Sequence, residues 1–185
     1  GKAREQANSL KCSANLRAVG QGFANFLANN KQTYPAAYRY NEANGGVSTN
    51  TNSEPSTGSN GYTHWSWFIY GDGKAPQESF RCPSLPNEGG LPPTNCKPED
   101  RIQGQTVTTI VADNQVRRIA YTVNEAIIPR NKFHDGVQDS GGGGGPYPRR
   151  SRLVKAGQVR NSSKTILATE YNENAQYHMQ ADIAS

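Results

Sequence analysis

The three cysteines, at positions 12, 82 and 96, are the residues of this chain best suited to form a covalent cross-link. Three cysteines allow one disulfide and one leftover thiol, in three possible pairings. A Cys82–Cys96 bond would close a short Pro-rich loop, whereas a Cys12–Cys82 bond would span about 70 residues and constrain the unfolded chain more. No C-x-x-C pair is present, which argues against a zinc or thioredoxin-type site. Spacing alone leaves the pairing open.

The histidines are too scattered to define a catalytic site. The chain has His64, His134 and His178, and no spacing requires any of them to meet a serine or cysteine nucleophile. The G-x-S-x-G, H-E-x-x-H and P-loop patterns are absent. The glycine run at 141–145 lacks the flanking strand and helix, and the Lys-Ser/Thr pair, of a phosphate-binding loop. We therefore predict that the protein is not an enzyme.

Trp65 and Trp67 belong to the most aromatic stretch, "THWSWFIYGDG" at 63–73. This stretch fits a short strand or a short helix, and strand alternation would place Trp65, Trp67 and Ile69 on one face. On the surface, the two tryptophans would offer aromatic faces on which a sugar ring can stack. Aromatic residues spaced this closely are more often found in a core or a subunit interface, so both interpretations stay open.

The composition favours a modest core with many loops. Only 34% of the 185 residues are hydrophobic, and the chain contains 19 glycines and 11 prolines. The net charge is +5, but the basic residues are scattered, apart from clusters at 117–118 and 149–152. A nucleic-acid-binding surface normally shows a denser basic stripe, so we predict no nucleic-acid partner. At this length we expect a single domain with a real core.

Residues 3–30 predict a long amphipathic helix. Two asparagines at 29–30, followed by Pro35, indicate where it ends. No Ser, Thr or Asp caps its start, so we expect the natural helix to continue upstream. Gly20 and Gly22 weaken it, and we expect them to let it bend or melt as it packs into an assembly. The apolar side chains share one face of a 3.6-residue repeat: Cys12, Leu16, Val19, Phe23, Phe26 and Leu27.

The rest of the chain predicts a small antiparallel sheet with long Gly/Pro/Asn-rich loops. Residues 106–112 and 117–127 are rich in β-branched residues and form a hairpin candidate. Residues 163–171 predict another strand. The predicted fold class is therefore α+β, with a helix at 1–33 packed on a head domain at 34–185.

Several short motifs occur along the chain, and their order is more informative than any one of them. The helix carries "ARE-x-A" from position 3 and "KC-x-x-NLR-x-VG" at 11–20. Later come "FRCPS" at 80–84, "YTVNE" at 121–125 and "SKTILATE" at 163–170. Together they resemble the type IV pilin-like proteins, in particular the pseudopilins of type II secretion systems and the prepilin-type proteins abundant in planctomycetes. The family's apolar N-terminal segment and its C-terminal D-G-H strand are not found in this sequence.

The resemblance implies a pilin-like structural subunit that polymerises helically into a pilus or pseudopilus. Its partners would be copies of itself and other pilin or secretion-system subunits. Before assembly, an apolar segment upstream of the present sequence would hold it in the inner membrane. The filament would then lie in the periplasm or outside the cell. We expect the polymer contacts on the apolar helix face: Leu16, Val19, Phe23, Phe26 and Leu27.

The resemblance also favours one cysteine pairing. Cys12 and Cys82 both occupy cysteine positions of the family, so their pairing is preferred over a Cys82–Cys96 bond. A disulfide suits the oxidising periplasm or cell surface.

Calcium is the one ion that the resemblance raises, because major pseudopilins often hold one in a loop near the C-terminus. The candidate oxygen ligands here are Asp135, Asp139 and Glu170, but their spacing does not match an EF-hand. We therefore expect no cofactor, with calcium as the weaker alternative.

A secreted glycan-binding or adhesin module is the alternative function. It would place Trp65 and Trp67 at the binding surface, and its affinity for a polysaccharide would fall when Trp65 is removed.

Overall fold

The chain begins with the 28-residue helix α1 (Lys2–Asn29), within one residue of the predicted bounds. A computed structural model describes residues 1–41, 61–93, 96–103, 105, 113–129 and 153–170, and the structural statements below concern these residues. At the end of α1 the Asn30 side chain donates to the Phe26 carbonyl oxygen (2.9 Å), which satisfies one of the last free acceptors of the helix. Lys31 and Gln32 then take positive φ values of 52° and 57°, so the chain turns away.

Four three-residue strands form two separate antiparallel pairs. Strand β1 (Tyr38–Tyr40) pairs with β2 (Tyr62–His64), with Arg39 opposite Thr63. Strand β3 (Tyr121–Val123) pairs with β4 (Ala168–Glu170), with Thr122 opposite Thr169. The fold class is α+β, as predicted, but the described residues form two small sheets and not one.

The described partner of β3 is a strand more than 40 residues further along the chain. Within the described residues β3 pairs with β4. The hairpin predicted between 106–112 and 117–127 stays a prediction, because 106–112 lie outside the described residues. The backbone amide of Asn124 continues this pairing by donating to the Leu167 carbonyl oxygen (2.9 Å). β-propensity marks a segment as a strand, but packing against distant parts of the chain decides its partner.

The aromatic stretch is a strand followed by a helix. It continues from β2 directly into α2 (Trp65–Gly71), so its apolar residues follow a helical spacing. Trp65 and Ile69 are four residues apart, lie on one face of α2 and are both buried.

The core lies between α1 and the head, with Trp65 packed between two phenylalanines. The Trp65 ring stacks on Phe23 of α1 at 5.5 Å, and Phe80 packs at an angle at 6.0 Å. These contacts join the N-terminal helix to the head in one hydrophobic cluster. Its other buried members are Cys12, Val19, Phe26, Ile69, Ala75, Cys82, Val116, Ala120, Tyr121, Ile127 and Ile128.

A buried arginine holds the loops on one side of the head. Arg118 is only 3% exposed, and its guanidinium donates to the carbonyl oxygens of Asn87 (3.2 Å) and Asp100 (2.9 Å). Arg118, one of the two basic residues at 117–118, therefore has a structural role, because it connects two loops through their backbone carbonyl oxygens. The loops contain a turn at Pro86–Gly89 and short 3₁₀ helices at Gln77–Phe80, Pro98–Asp100, Ala156–Gln158 and Ser162–Lys164.

Candidate functional site

The predicted assembly face of α1 is the face that packs against the head. Val19, Phe23 and Phe26 are 0%, 2% and 6% exposed, and Leu16 and Leu27 are half-buried. The prediction that this face contacts another subunit is therefore corrected for Val19, Phe23 and Phe26, and it stays a prediction for Leu16 and Leu27. The apolar area of Val19, Phe23 and Phe26 is removed from water within the monomer, because the head supplies the aromatic residues that cover it. Leu16 packs partly buried against the same cluster.

The opposite face of α1 is exposed along the whole helix. Counting about 100° per residue, its positions lie about 180° from the core face. They recur at steps of three and four, the spacing of a helix–helix seam, and most are alanine. Leu10, the largest apolar side chain among them, is 73% exposed. This outer face comprises Ala3, Ala7, Leu10, Ala14, Arg17, Gln21, Ala24 and Ala28.

A disulfide joins α1 to the head. It pairs Cys12 with Cys82, as the family resemblance favoured, and Cys96 is a free, buried cysteine. The Tyr121 hydroxyl donates a bifurcated hydrogen bond to two backbone carbonyl oxygens, those of Cys12 (3.2 Å) and Arg81 (3.1 Å). Burial raises the pKa of the Tyr121 hydroxyl, and the Glu170 carboxylate raises it further, so Tyr121 remains a donor.

Two polar side chains border the disulfide. The Ser84 Oγ atom lies 3.6 Å from the Cys12 Sγ atom, and the Glu170 Oε1 atom lies 3.5 Å from the Cys82 Sγ atom. The two sulfurs and a Glu170 carboxylate oxygen lie within 4.8 Å of one another, the separation of metal ligands. The sulfurs are bonded to each other, however, so neither is available as a thiolate ligand.

The calcium prediction is left with a single described ligand. Glu170 contributes a carboxylate, but the one metal-sized group found in the described part of the chain has only sulfur atoms beside it. Calcium takes six to eight oxygen ligands, so this group does not suit it. Asp135 and Asp139 lie outside the described residues.

The predicted glycan-stacking pair is divided between the core and the surface. Trp65 is 2% exposed and cannot reach a ligand, which corrects its assignment. Trp67 is 37% exposed, and its ring neighbour is Tyr70, at 5.4 Å with an angle of 51° between the rings. Because α2 is helical, residues 65 and 67 point in different directions, and the tilted pair does not form a flat platform.

His64 has a structural role at the start of α2. Its Nδ1 atom accepts a hydrogen bond from the Ser66 backbone amide (3.3 Å) and lies 2.9 Å from the Ser66 Oγ atom. This contact resembles a nucleophile–base pair, but the Ser66 side chain is fully buried and accepts from the Val116 amide (3.4 Å). A substrate cannot reach it. Burial lowers the pKa of His64 to about 3.

The lowered pKa of His64 predicts a loss of stability in mild acid. The unfolded histidine binds a proton near pH 6.5, and the folded one only near pH 3. Its contribution is complete above pH 6.5 and is lost progressively as the pH falls towards 3. Between pH 7 and 5 we expect the free energy of unfolding to fall by about 1–2 kcal/mol from this residue.

The matched variant for this test is His64→Asn, because asparagine is also a good N-cap residue but does not titrate. We expect urea titrations at pH 7 and 5 to show a clearly smaller loss for the variant. His134 and His178 are unchanged in both proteins. An equal loss in both would show that His64 is not the cause.

Comparison with known proteins adds no relative: no protein-family model, curated protein or solved structure matches the chain. Within the described residues, no helix is both long enough and apolar enough to cross a membrane.

Proposed function

We propose that this protein is a non-enzymatic structural subunit of a pilus- or pseudopilus-like filament. The proposal is supported by the order in which the pilin-like sequence motifs follow one another between positions 3 and 170. It is also supported by a long N-terminal helix that packs on an α+β head. Its partners would be further copies and other pilin or secretion-system subunits. The filament would lie in the periplasm or outside the cell, after release from the inner membrane.

The outer face of α1 is the observation that carries this proposal. The head covers the opposite face, so contacts between copies through α1 must use the exposed one. Alanine at most of its positions lets two helix backbones approach closely, which favours extensive van der Waals contact. We therefore assign the subunit contacts to this face and not to the buried face that the sequence pattern favoured.

Placing a charge on the outer face is expected to weaken self-association. Ala14→Glu and Ala24→Glu put a carboxylate into a close helix–helix contact, where its desolvation is unfavourable. We expect the association constant in sedimentation velocity to fall at least about tenfold, which corresponds to about 1.4 kcal/mol. The variants should correspondingly form fewer filaments than the unmodified protein in electron micrographs.

Ser9→Glu is the matched control, because Ser9 is exposed on α1 but lies about 100° away from the outer face. This variant should associate as the unmodified chain does. A chain that stays monomeric at millimolar concentration, or three variants that behave alike, would contradict the proposed contact. Urea unfolding of each variant would establish that the head is still folded.

A further inference from the structure

The Cys12–Cys82 disulfide lies just below the protein surface, beneath two polar residues. Cys12 and Cys82 are only 2% and 1% exposed, whereas Ser84 and Glu170 are exposed. Ser84 contacts the Cys12 sulfur and Glu170 contacts the Cys82 sulfur. A reagent that approaches the bond from this side therefore meets the Glu170 carboxylate beside the Cys82 sulfur.

The position of Glu170 is set by the β3–β4 pairing. In that register Glu170 lies opposite Tyr121, whose hydroxyl bridges α1 and the Arg81 backbone. Arg81, the basic residue that precedes Cys82 in the chain, pairs with Glu78 (Nε to Oε2, 3.4 Å). Among the described residues no ion pair joins Glu170 to a basic group.

Reduction of a disulfide by a thiol places negative charge on both sulfurs in turn. A thiolate attacks one sulfur, the S–S bond breaks, and the other cysteine leaves as a thiolate. A second thiol then attacks the mixed disulfide, so that two thiols become one disulfide and both cysteines become thiols. Attack at Cys82 brings an anion next to Glu170, and attack at Cys12 leaves the negative charge on Cys82. Either route develops charge beside the carboxylate.

We propose that Glu170 protects the Cys12–Cys82 disulfide against reduction by anionic thiols. The carboxylate repels the incoming thiolate and disfavours the leaving thiolate, while burial excludes larger reagents. Because Glu170 is exposed, water screens the repulsion between its carboxylate and the thiolate. Two unit charges about 4 Å apart in water repel each other strongly enough to change the reaction rate about fivefold.

The test uses Glu170→Gln, which keeps the shape of the side chain and removes its charge. The reduction rate is measured under native conditions, by alkylation and mass spectrometry, with anionic mercaptoethanesulfonate and with cationic cysteamine. We expect the variant to react about fivefold faster with the anionic thiol. With the cationic thiol the acceleration should be smaller or reversed. Added salt should reduce the difference between the two reagents.

Glu125→Gln is the matched control, because it removes the same charge from the exposed turn that follows β3. Its rates should equal those of the unmodified chain with both thiols. Equal acceleration of Glu170→Gln by both reagents that added salt leaves unchanged would indicate loss of cover or local unfolding, and would overturn the proposed electrostatic protection. An unchanged rate would overturn it as well. These measurements need only the monomer, so their outcome is independent of the proposed filament.

Discussion

Replacing both Cys12 and Cys82 by alanine is expected to lower the free energy of unfolding by about 4 kcal/mol. The bond joins residues separated by 70 positions, and cross-links that close long loops restrict the unfolded chain most. It also fixes the middle of α1 next to the Tyr121 hydroxyl, which bridges the same two segments. A domain of this size is typically stable by only 5–15 kcal/mol, so the double variant should unfold at a much lower urea concentration.

Cys96→Ala is the control for this experiment, since Cys96 is also buried but forms no disulfide. Its cost should be about 1 kcal/mol, the usual effect of a small buried truncation. A double variant that loses no more stability than Cys96→Ala would contradict the disulfide. So would a non-reduced peptide map that links residue 82 to residue 96.

Gly22→Ala is expected to destabilise the protein by about 2 kcal/mol, although alanine is the better helix former. A Cβ atom at Gly22 would lie 2.7 Å from the Ala75 Cβ atom and 2.7 Å from the Ile69 Cγ2 atom. The backbone around Gly73 is also packed tightly against α1, because a Cβ atom on Gly73 would collide with the Gly22 carbonyl oxygen. The helix and the head cannot separate here without disturbing the Phe23–Trp65 stack next to the contact.

Gly20→Ala provides the matched comparison, because it makes the same chemical change two residues away on the same helix. A Cβ atom at Gly20 would meet nothing within 4 Å, so this variant should gain up to about 1 kcal/mol from helix propensity. Urea unfolding of the two variants should therefore show effects of opposite sign. Two stabilised variants would show that α1 can shift away from the head at little cost.

The two glycines also show how far helix propensity can be read from the sequence. Both were predicted to weaken α1, and local propensity does not distinguish them. In the structure α1 is continuous through both positions, and Gly22 permits a close contact with the Ile69–Ala75 region. That contact depends on residues about 50 positions away, which no local pattern encodes.

The two faces of α1 also show which features follow from the local sequence and which depend on distant contacts. A period of 3.6 residues was sufficient to predict the helix and its bounds, because backbone hydrogen bonding in a helix is local. The pattern also identified the apolar face, but it could not say whether the head or another subunit covers that face. The alanines of the outer face were visible in the sequence as well. An apolar pattern does not mark this face, because alanine contrasts weakly in hydrophobicity with its polar neighbours.

Short segments were the least predictable from the sequence. Over the few residues around Trp65 and Trp67, a strand period and a helix period fit equally well, and the chain uses both in turn. Core packing selects the helix, because it brings Trp65 and Ile69 together on one side and turns Trp67 outwards. The sequence left Trp65 open between the core and a sugar-stacking surface, and only the packing places it in the core.

The sequence by itself determined the long helix, the α+β class and the approximate position of β3 and β4, because these follow from local propensity and periodicity. Only the tertiary structure decided that the apolar face is internal, that β3 pairs with β4 and that Glu170 lies beside the disulfide. Each of these depends on contacts between residues far apart in the chain. The cluster around Trp65 likewise joins residues from Cys12 to Ile128, which no local pattern relates to one another.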